Sequence, residues 1–222
     1  MSSFSINFER VSFAYPGRDF LFQDLNLNLP GNQAILLTGE NGSGKSTLAG
    51  LAASVLSPLS GKVSYPNLAQ PNKKKPALYQ KLAFLQQNIR NNLAGVNPRE
   101  DLSLWLQGSD GSKQEKERFV KWALEQWKLQ DKAEKPVWSM STGELKSLAL
   151  AGISLFPKRY WILDEPLAGL DSEHLDILLT LLQTRRKLND GLLVVSHNAE
   201  PLLSSVDAVL HLNIDGSLKW ER

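Results

Sequence analysis

The residues Gly39-Glu40-Asn41-Gly42-Ser43-Gly44-Lys45-Ser46-Thr47 form a phosphate cradle in sequence. Glycines at 39, 42 and 44 permit backbone conformations that a Cβ would hinder, so successive N–H groups can turn toward the oxygens of a polyphosphate. Lys45 adds a compact positive charge at the outer phosphates, and the Ser46 hydroxyl is placed to ligate Mg²⁺. Asn41, Ser43 and Thr47 complete the polar lining. A helix starting near Gly44 would aim its N-terminal dipole and free N–H groups at the same anion.

A second pattern supplies carboxylates. Tyr160-Trp161-Ile162-Leu163 is an uninterrupted apolar run ending in Asp164-Glu165. In an open parallel sheet, ligands bind beyond the carboxyl ends of the strands, the edge that also carries a phosphate loop. Asp164 is then placed to hold Mg²⁺ through its water shell, and Glu165 to polarise an attacking water.

Such groups need a scaffold to position them. Ala34 to Leu37 reads as the strand feeding the cradle, and residues 43–56 as the helix leaving it, with Leu48, Leu51, Ala52 and Leu56 at helical spacing. Upstream, residues 5–8, 11–15 and 25–29 alternate as short antiparallel strands, punctuated by Pro16-Gly17 and Pro30-Gly31. Residues 66–76, including Lys73-Lys74-Lys75, read as a solvated loop, and Leu82 to Leu85 as a strand ending in Gln86-Gln87. From 92 to 135 the pattern is loops, around 95–98 and 108–111, and a helix near 113–129. In that helix Val120, Ala123, Leu124 and Trp127 form a buried stripe. Phe119 and Trp122, outside the stripe, are expected to widen the buried face; the alternative is an apolar contact for another protein. A helix from Glu144 to Ile153, a helix over 172–187 capped by Asp171 or Ser172, a buried strand over 192–195 and a closing hairpin of 208–212 with 218–220 complete the chain.

Composition narrows the function classes. A formal net charge of +2 on 222 residues excludes the strongly basic balance of a general nucleic-acid binder. With no cysteine, disulfides and thiolate metal sites are excluded. The N-terminal residues lack a basic start followed by an apolar core, so no secretory signal is expected. No uncharged apolar stretch of about 18 residues is present, so any membrane role is expected to come through a partner.

Together with further elements in order, these motifs resemble the ATP-binding cassette (ABC) ATPases. Tyr15, in Phe13-Ala14-Tyr15-Pro16-Gly17, resembles the family's adenine-stacking aromatic. Gln87 resembles its loop glutamine, which touches Mg²⁺ or the water and relays nucleotide state to a membrane partner; Gln86 is a neighbouring candidate. Met140-Ser141-Thr142-Gly143-Glu144 resembles the signature Leu-Ser-Gly-Gly-Gln. The resemblance implies that Ser141 and Gly143 bind the γ-phosphate held by a second copy. The chain departs from the signature at Met140, Thr142 and Glu144: Thr142 would restrict the backbone, and Glu144 adds an anion near phosphate. Asp171, in Leu167-Ala168-Gly169-Leu170-Asp171, resembles the aspartate that crosses the dimer interface, and His197 the switch histidine that contacts the γ-phosphate. His174 and His211 read as incidental.

What the resemblance implies is an α/β fold: a phosphate-loop (RecA-like) NTPase core with an N-terminal antiparallel β-subdomain and an inserted helical subdomain at about 92–150, one ABC ATPase domain over 1–222. The cofactors would be ATP and Mg²⁺. The partners would be transmembrane transporter subunits, docking near Gln87 at the cytoplasmic face of the membrane, and a second ATPase copy, identical or paralogous. Leu148 to Gly152 with Leu167 to Asp171, and Gln87-Asn88, resemble the energy-coupling-factor ATPases, which drive uptake of vitamins and of cobalt or nickel. Trp161 to Pro166 also resembles the haem exporter ATPase of cytochrome c maturation. A soluble ATP-dependent switch is the remaining alternative.

Overall fold

The structure is a computed structural model that describes residues 4–66, 78, 81–107, 109–155 and 160–221. Most of the expected 66–76 loop, with Lys73-Lys74-Lys75, lies outside the described residues, as does Gly108.

Two sheets carry the strands. The first has order β2-β1-β4 and is antiparallel, with β1 (Ile6–Ala14) paired to β2 (Phe20–Leu29) and to β4 (Ser60–Ser64). The two short strands expected over 5–8 and 11–15 are one strand. A register shift between Phe8 and Val11 absorbs Arg10, whose φ is 47°, so a bulge bends the strand where the alternation breaks. In β2, Leu25, Leu27 and Leu29 face inward while Asn26 and Asn28 are exposed, the period-2 pattern of a half-buried strand. Nothing in Ser-Gly-Lys-Val-Ser foretells β4, which is largely exposed.

The second sheet has order β5-β6-β7-β3-β8-β9. Its centre is parallel: β3 (Ala34–Gly39) pairs with β7 (Gly191–Val195) and β8 (Ala208–Leu212), and β6 (Tyr160–Asp164) pairs with β7. β5 (Leu82–Leu85) forms one edge, and β9 (Leu218–Trp220), antiparallel to β8, the other. Every residue of β6 and β7 is buried, as expected of strands covered on both faces. Helix α1 (Lys45–Ala52) lies against β3, β6 and β7. Ile35, Leu37, Leu48, Leu51, Ile162, Leu193 and Leu210 share one core, each buried side chain stabilising by about 1.5–3 kcal/mol.

The chain divides into two compact units. The first comprises Met1–Phe84, Lys158–Glu165 and Leu181–Arg222, and the second Leu85–Pro157 and Pro166–Thr180. In the second, α2 (Pro98–Trp105), α3 (Lys113–Gln126) and α4 (Thr142–Ser154) pack against one another. α2 was not foreseen, although Asn97 caps it by accepting from the Glu100 N–H at 2.9 Å, with Pro98 in the first turn, a start signal present in the sequence. Helix α5 spans Ser172–Lys187.

Two helices end earlier than the apolar spacing predicts. α1 stops at Ala52, where Ser54 (φ 58°) turns left-handed, Ser54 N–H donates to Leu51 O and Val55 N–H to Gly50 O. α3 stops at Gln126 in the same way, with Lys128 at φ 51°, its N–H on Glu125 O and the Leu129 N–H on Leu124 O. Both are Schellman closures built on residues other than glycine. Phe119 and Trp122 do not widen the buried face of α3; they are 55% and 45% exposed.

Candidate functional site

The first unit holds the cradle and the carboxylates. Gly39, Gly42 and Gly44 have φ values of 144°, 87° and 101°. A Cβ at Gly39 would lie 2.3 Å from Leu212 O, so both dihedral angle and space require glycine there. Lys45 is nearly buried, and its Nζ donates to Gly39 O at 2.9 Å and Glu40 O at 2.8 Å. The ammonium thus sits within its own loop, held by carbonyls that a phosphate oxygen can replace. Ser43 is fully buried, and its Oγ has no hydrogen-bond partner among the described residues. A buried hydroxyl left without a partner is unfavourable, and an anion in the loop would supply an acceptor.

Asn41, Gly42 and Ser46 are exposed at the loop, and Thr47 is buried. Thr47 Oγ1 lies 3.0 Å from the Tyr15 hydroxyl. The Tyr15 ring meets Phe13 edge-on, with centroids 5.0 Å apart, and remains about half exposed.

At the sheet edge, Asp164 is buried at the end of β6, opposite Val195 of β7. Glu165 follows with φ 49°, an uncommon conformation for a residue with a side chain. Its N–H donates to Val195 O at 2.9 Å, which fixes that turn. The turn delivers the carboxylate to His197: Glu165 Oε1 accepts from the His197 backbone N–H at 3.1 Å and lies 3.0 Å from Nδ1. An ionised carboxylate only accepts, so Nδ1 carries the hydrogen and Nε2 is left for another partner. Glu165 is largely covered, with a side chain 13% exposed, whereas that of His197 is 63% exposed.

Among the described residues no group of three or more His, Asp or Glu could hold a metal alone. The buried Asp164 carboxylate and the exposed Ser46 hydroxyl, both in the first unit, are a small set of oxygen donors. That set fits Mg²⁺, which takes one or two protein oxygens together with water and phosphate.

The second unit holds the remaining predicted residues. Gln86 is tied down: its N–H donates to Asn92 Oδ1 at 2.9 Å and its Oε1 accepts from Asn91 Nδ2 at 3.1 Å. Gln87 is exposed. The turn that follows, Ile89–Asn92, packs on α4. Ser141 is the N-cap of α4 in a reciprocal capping box, its Oγ accepting from the Glu144 N–H at 3.2 Å and its own N–H donating to Glu144 Oε2 at 2.7 Å. Thr142 occupies the first helical position, which a threonine adopts without strain. Gly143 is required sterically, since a Cβ would lie 2.5 Å from Gly169 O. Hydrogen bonding to Lys132, and then to the Ser141 N–H, holds the Glu144 carboxyl down at about 2.

Asp171 caps α5. Its Oδ1 accepts from the His174 N–H at 2.9 Å and lies 2.7 Å from His174 Nδ1; these bonds lower the carboxyl pKa. His174 has a structural place in the fold beside Asp171: its Nε2 also lies 3.1 Å from Trp127 O at the end of α3. Sequence reasoning missed it because partners three residues away and across the fold leave no periodic mark. Asp101 was missed as well. It is buried, accepts from the Ala94 and Gly95 N–H groups at 2.7 and 2.9 Å, and has its carboxyl pushed up by desolvation. Gly95 in turn admits no side chain, since a Cβ would lie 2.3 Å from Asp101 N.

A protein-family profile described as "ABC transporter" matches residues 22–168, more than half the chain. The energy-coupling factor transporter ATP-binding protein EcfA1 of Thermotoga maritima is 28% identical over 97% of this chain and 82% of its own length. The cobalt import ATP-binding protein CbiO of Rhodobacter capsulatus is 29% identical over 90% of this chain and 72% of its own. Among solved structures, the fold matches a dimeric bacterial ABC transporter cassette with a TM-score of 0.80 and 21% identity, covering 98% of this chain and 99% of that one.

Proposed function

The chain belongs to the ABC transporter ATPase family, and from that premise we propose that it powers an energy-coupling-factor-type importer of a vitamin or metal ion. Similarity to the EcfA1 and CbiO proteins supports that branch. Among the described residues no helix is long and apolar enough to cross a membrane, so transmembrane subunits would carry the substrate, with this chain at their cytoplasmic face. A second ATPase copy would complete two nucleotide sites.

The hydrogen-bonded pair Glu165 and His197, in the same unit as the cradle, carries the catalytic reading. When ATP enters, the Lys45 ammonium exchanges the Gly39 and Glu40 carbonyls for β- and γ-phosphate oxygens, and adenine stacks on Tyr15. Ser43 gains an acceptor. Glu165 accepts a hydrogen bond from the attacking water and takes its proton as the oxygen adds in line to the γ-phosphorus. The bond to the β–γ bridging oxygen breaks, leaving ADP and phosphate. As the imidazolium, His197, oriented through Nδ1, donates from Nε2 to the γ-phosphate. Ser46 and Asp164 would hold Mg²⁺, which would offset the charge on the phosphate oxygens. Ser141 and Gly143 of a second copy grip the γ-phosphate at a helix N-terminus, and Asp171 lies at the interface between copies.

Purification of the chain with its membrane partner, followed by vesicle uptake assays, tests the reading. The expected result is ATP-dependent uptake of a vitamin or of cobalt or nickel, lost on Glu165→Gln. Co-purification with a haem-exporting complex would replace this assignment with an export role.

A further inference from the structure

Glu144 places an anion in the turn assigned to grip phosphate, and the structure surrounds it with two cations. Lys132 Nζ lies 2.8 Å from Glu144 Oε1, and Lys135 Nζ lies 3.4 Å from Oε2, the oxygen that also accepts the Ser141 N–H. Both lysines come from one short loop: Lys132 closes the 3₁₀ turn Gln130–Lys132, and the Lys135 N–H donates back to Lys132 O at 2.9 Å. Of the other acids in that loop, Glu134 is paired with Arg99, and Asp131 is exposed in the 3₁₀ turn. The Glu144 side chain is only 19% exposed, so water screens it less than a free surface carboxylate.

We infer that Lys132 and Lys135 are positioning residues for ATP binding: they neutralise Glu144 and hold its carboxylate on the Ser141 N–H, so that the turn can accept the γ-phosphate of a second copy's ATP. The three side chains together carry one net positive charge, whereas Glu144 alone would repel a triphosphate arriving beside it. The carboxylate also fixes the capping box, so its orientation decides where the Ser141 hydroxyl and the first N–H groups of α4 point. A neutral glutamine would need no such pair of cations. The inference rests on Ser141 and Gly143 being the phosphate grip.

The test uses the full chain and ATP titrations of phosphate release, with ATP-driven dimer formation followed by light scattering. Lys132→Met/Lys135→Met is expected to raise the ATP concentration for half-saturation roughly 3- to 30-fold, mainly through KM rather than kcat, since two charge pairs are removed. Adding Glu144→Gln to that variant is expected to restore most of the affinity, because the carboxamide keeps an acceptor for the Ser141 N–H without the charge. Lys132→Arg/Lys135→Arg should stay near wild type. Should the double methionine variant be unstable, the single methionine variants carry the comparison, each with a smaller rise reversed by Glu144→Gln. An unchanged half-saturation, or a rise that Glu144→Gln does not reverse, overturns the inference. Ser141→Arg separates the underlying reading: if it leaves hydrolysis intact, the phosphate-grip assignment itself fails. If it abolishes hydrolysis while the lysine variants are silent, only the role of the lysines fails.

Discussion

The Tyr15 hydroxyl and Thr47 Oγ1 lie 3.0 Å apart, although the residues are 32 positions apart in sequence. The bond ties the aromatic that would stack on a base to the loop that would hold the phosphates. Base affinity and phosphate affinity are therefore expected to be linked. Stacking on a base is worth roughly 1–3 kcal/mol, so Tyr15→Ala should weaken ATP binding about 5- to 100-fold with little change in kcat. Tyr15→Phe keeps the ring and loses only the hydrogen bond, for a loss of about 2- to 10-fold. Equilibrium nucleotide titration distinguishes these; equal affinity in all three proteins would make Tyr15 purely structural.

Glu165 and His197 are expected to act as a pair. Removal of a general base commonly lowers the rate by about 10² to 10⁴. Glu165→Gln should reduce single-turnover phosphate release by that order while ATP still binds. His197→Ala should slow release too. Because the residues share a hydrogen bond, the double variant should be far less impaired than the product of the single losses. Fully multiplicative losses would show that they act independently.

The Glu144 environment makes an acid-stability prediction. Its carboxyl is lowered from an ordinary 4.5 to about 2. The folded state therefore binds this proton less readily than the unfolded chain, and the resulting stabilisation is fully present above pH 4.5. It is lost as pH falls toward 2. Glu144→Gln lacks that contribution, so the wild-type advantage in Tm should be greatest above pH 4.5 and shrink steadily on acidification. A constant difference across that range, measured by thermal unfolding, would mean the charge is not what stabilises the turn.

The α/β fold was legible because its strongest signals are local. The apolar runs at 34–37, 160–163 and 192–195 became the parallel centre of the sheet, and the alternating leucines of β2 became an antiparallel strand. Helix ends were less legible, because Ser54 and Lys128 adopt the left-handed conformation that a reader expects of glycine. The exposure of Phe119 and Trp122 was hidden for another reason: periodicity reports a preferred face but not where that face stops. Within the candidate site, the residue types of Lys45, Asp164, Glu165 and His197 could be read directly. Their pairings could not, since the Glu165 to His197 bond depends on the β6–β7 register and on the positive φ of Glu165. The two lysines beside Glu144 were invisible for the same reason, as ion pairs across a turn impose no spacing rule.

We propose that the second ATPase is an identical copy, so that two copies of this chain hydrolyse ATP at sites each shares with the other. Lys45→Ala breaks the cradle and Ser141→Arg breaks the signature turn, so each variant alone has two defective sites per dimer and should be inactive. In a mixed dimer, the intact cradle of one meets the intact signature of the other, while the second site collects both defects. With free and equal exchange, site counting allows up to about a quarter of wild-type activity. The decisive measurement is single-turnover phosphate release from the mixture, with exchange verified by labelled subunits. Recovery of release toward that ceiling is the predicted result. Release no greater than the sum of the separate variants would contradict the claim.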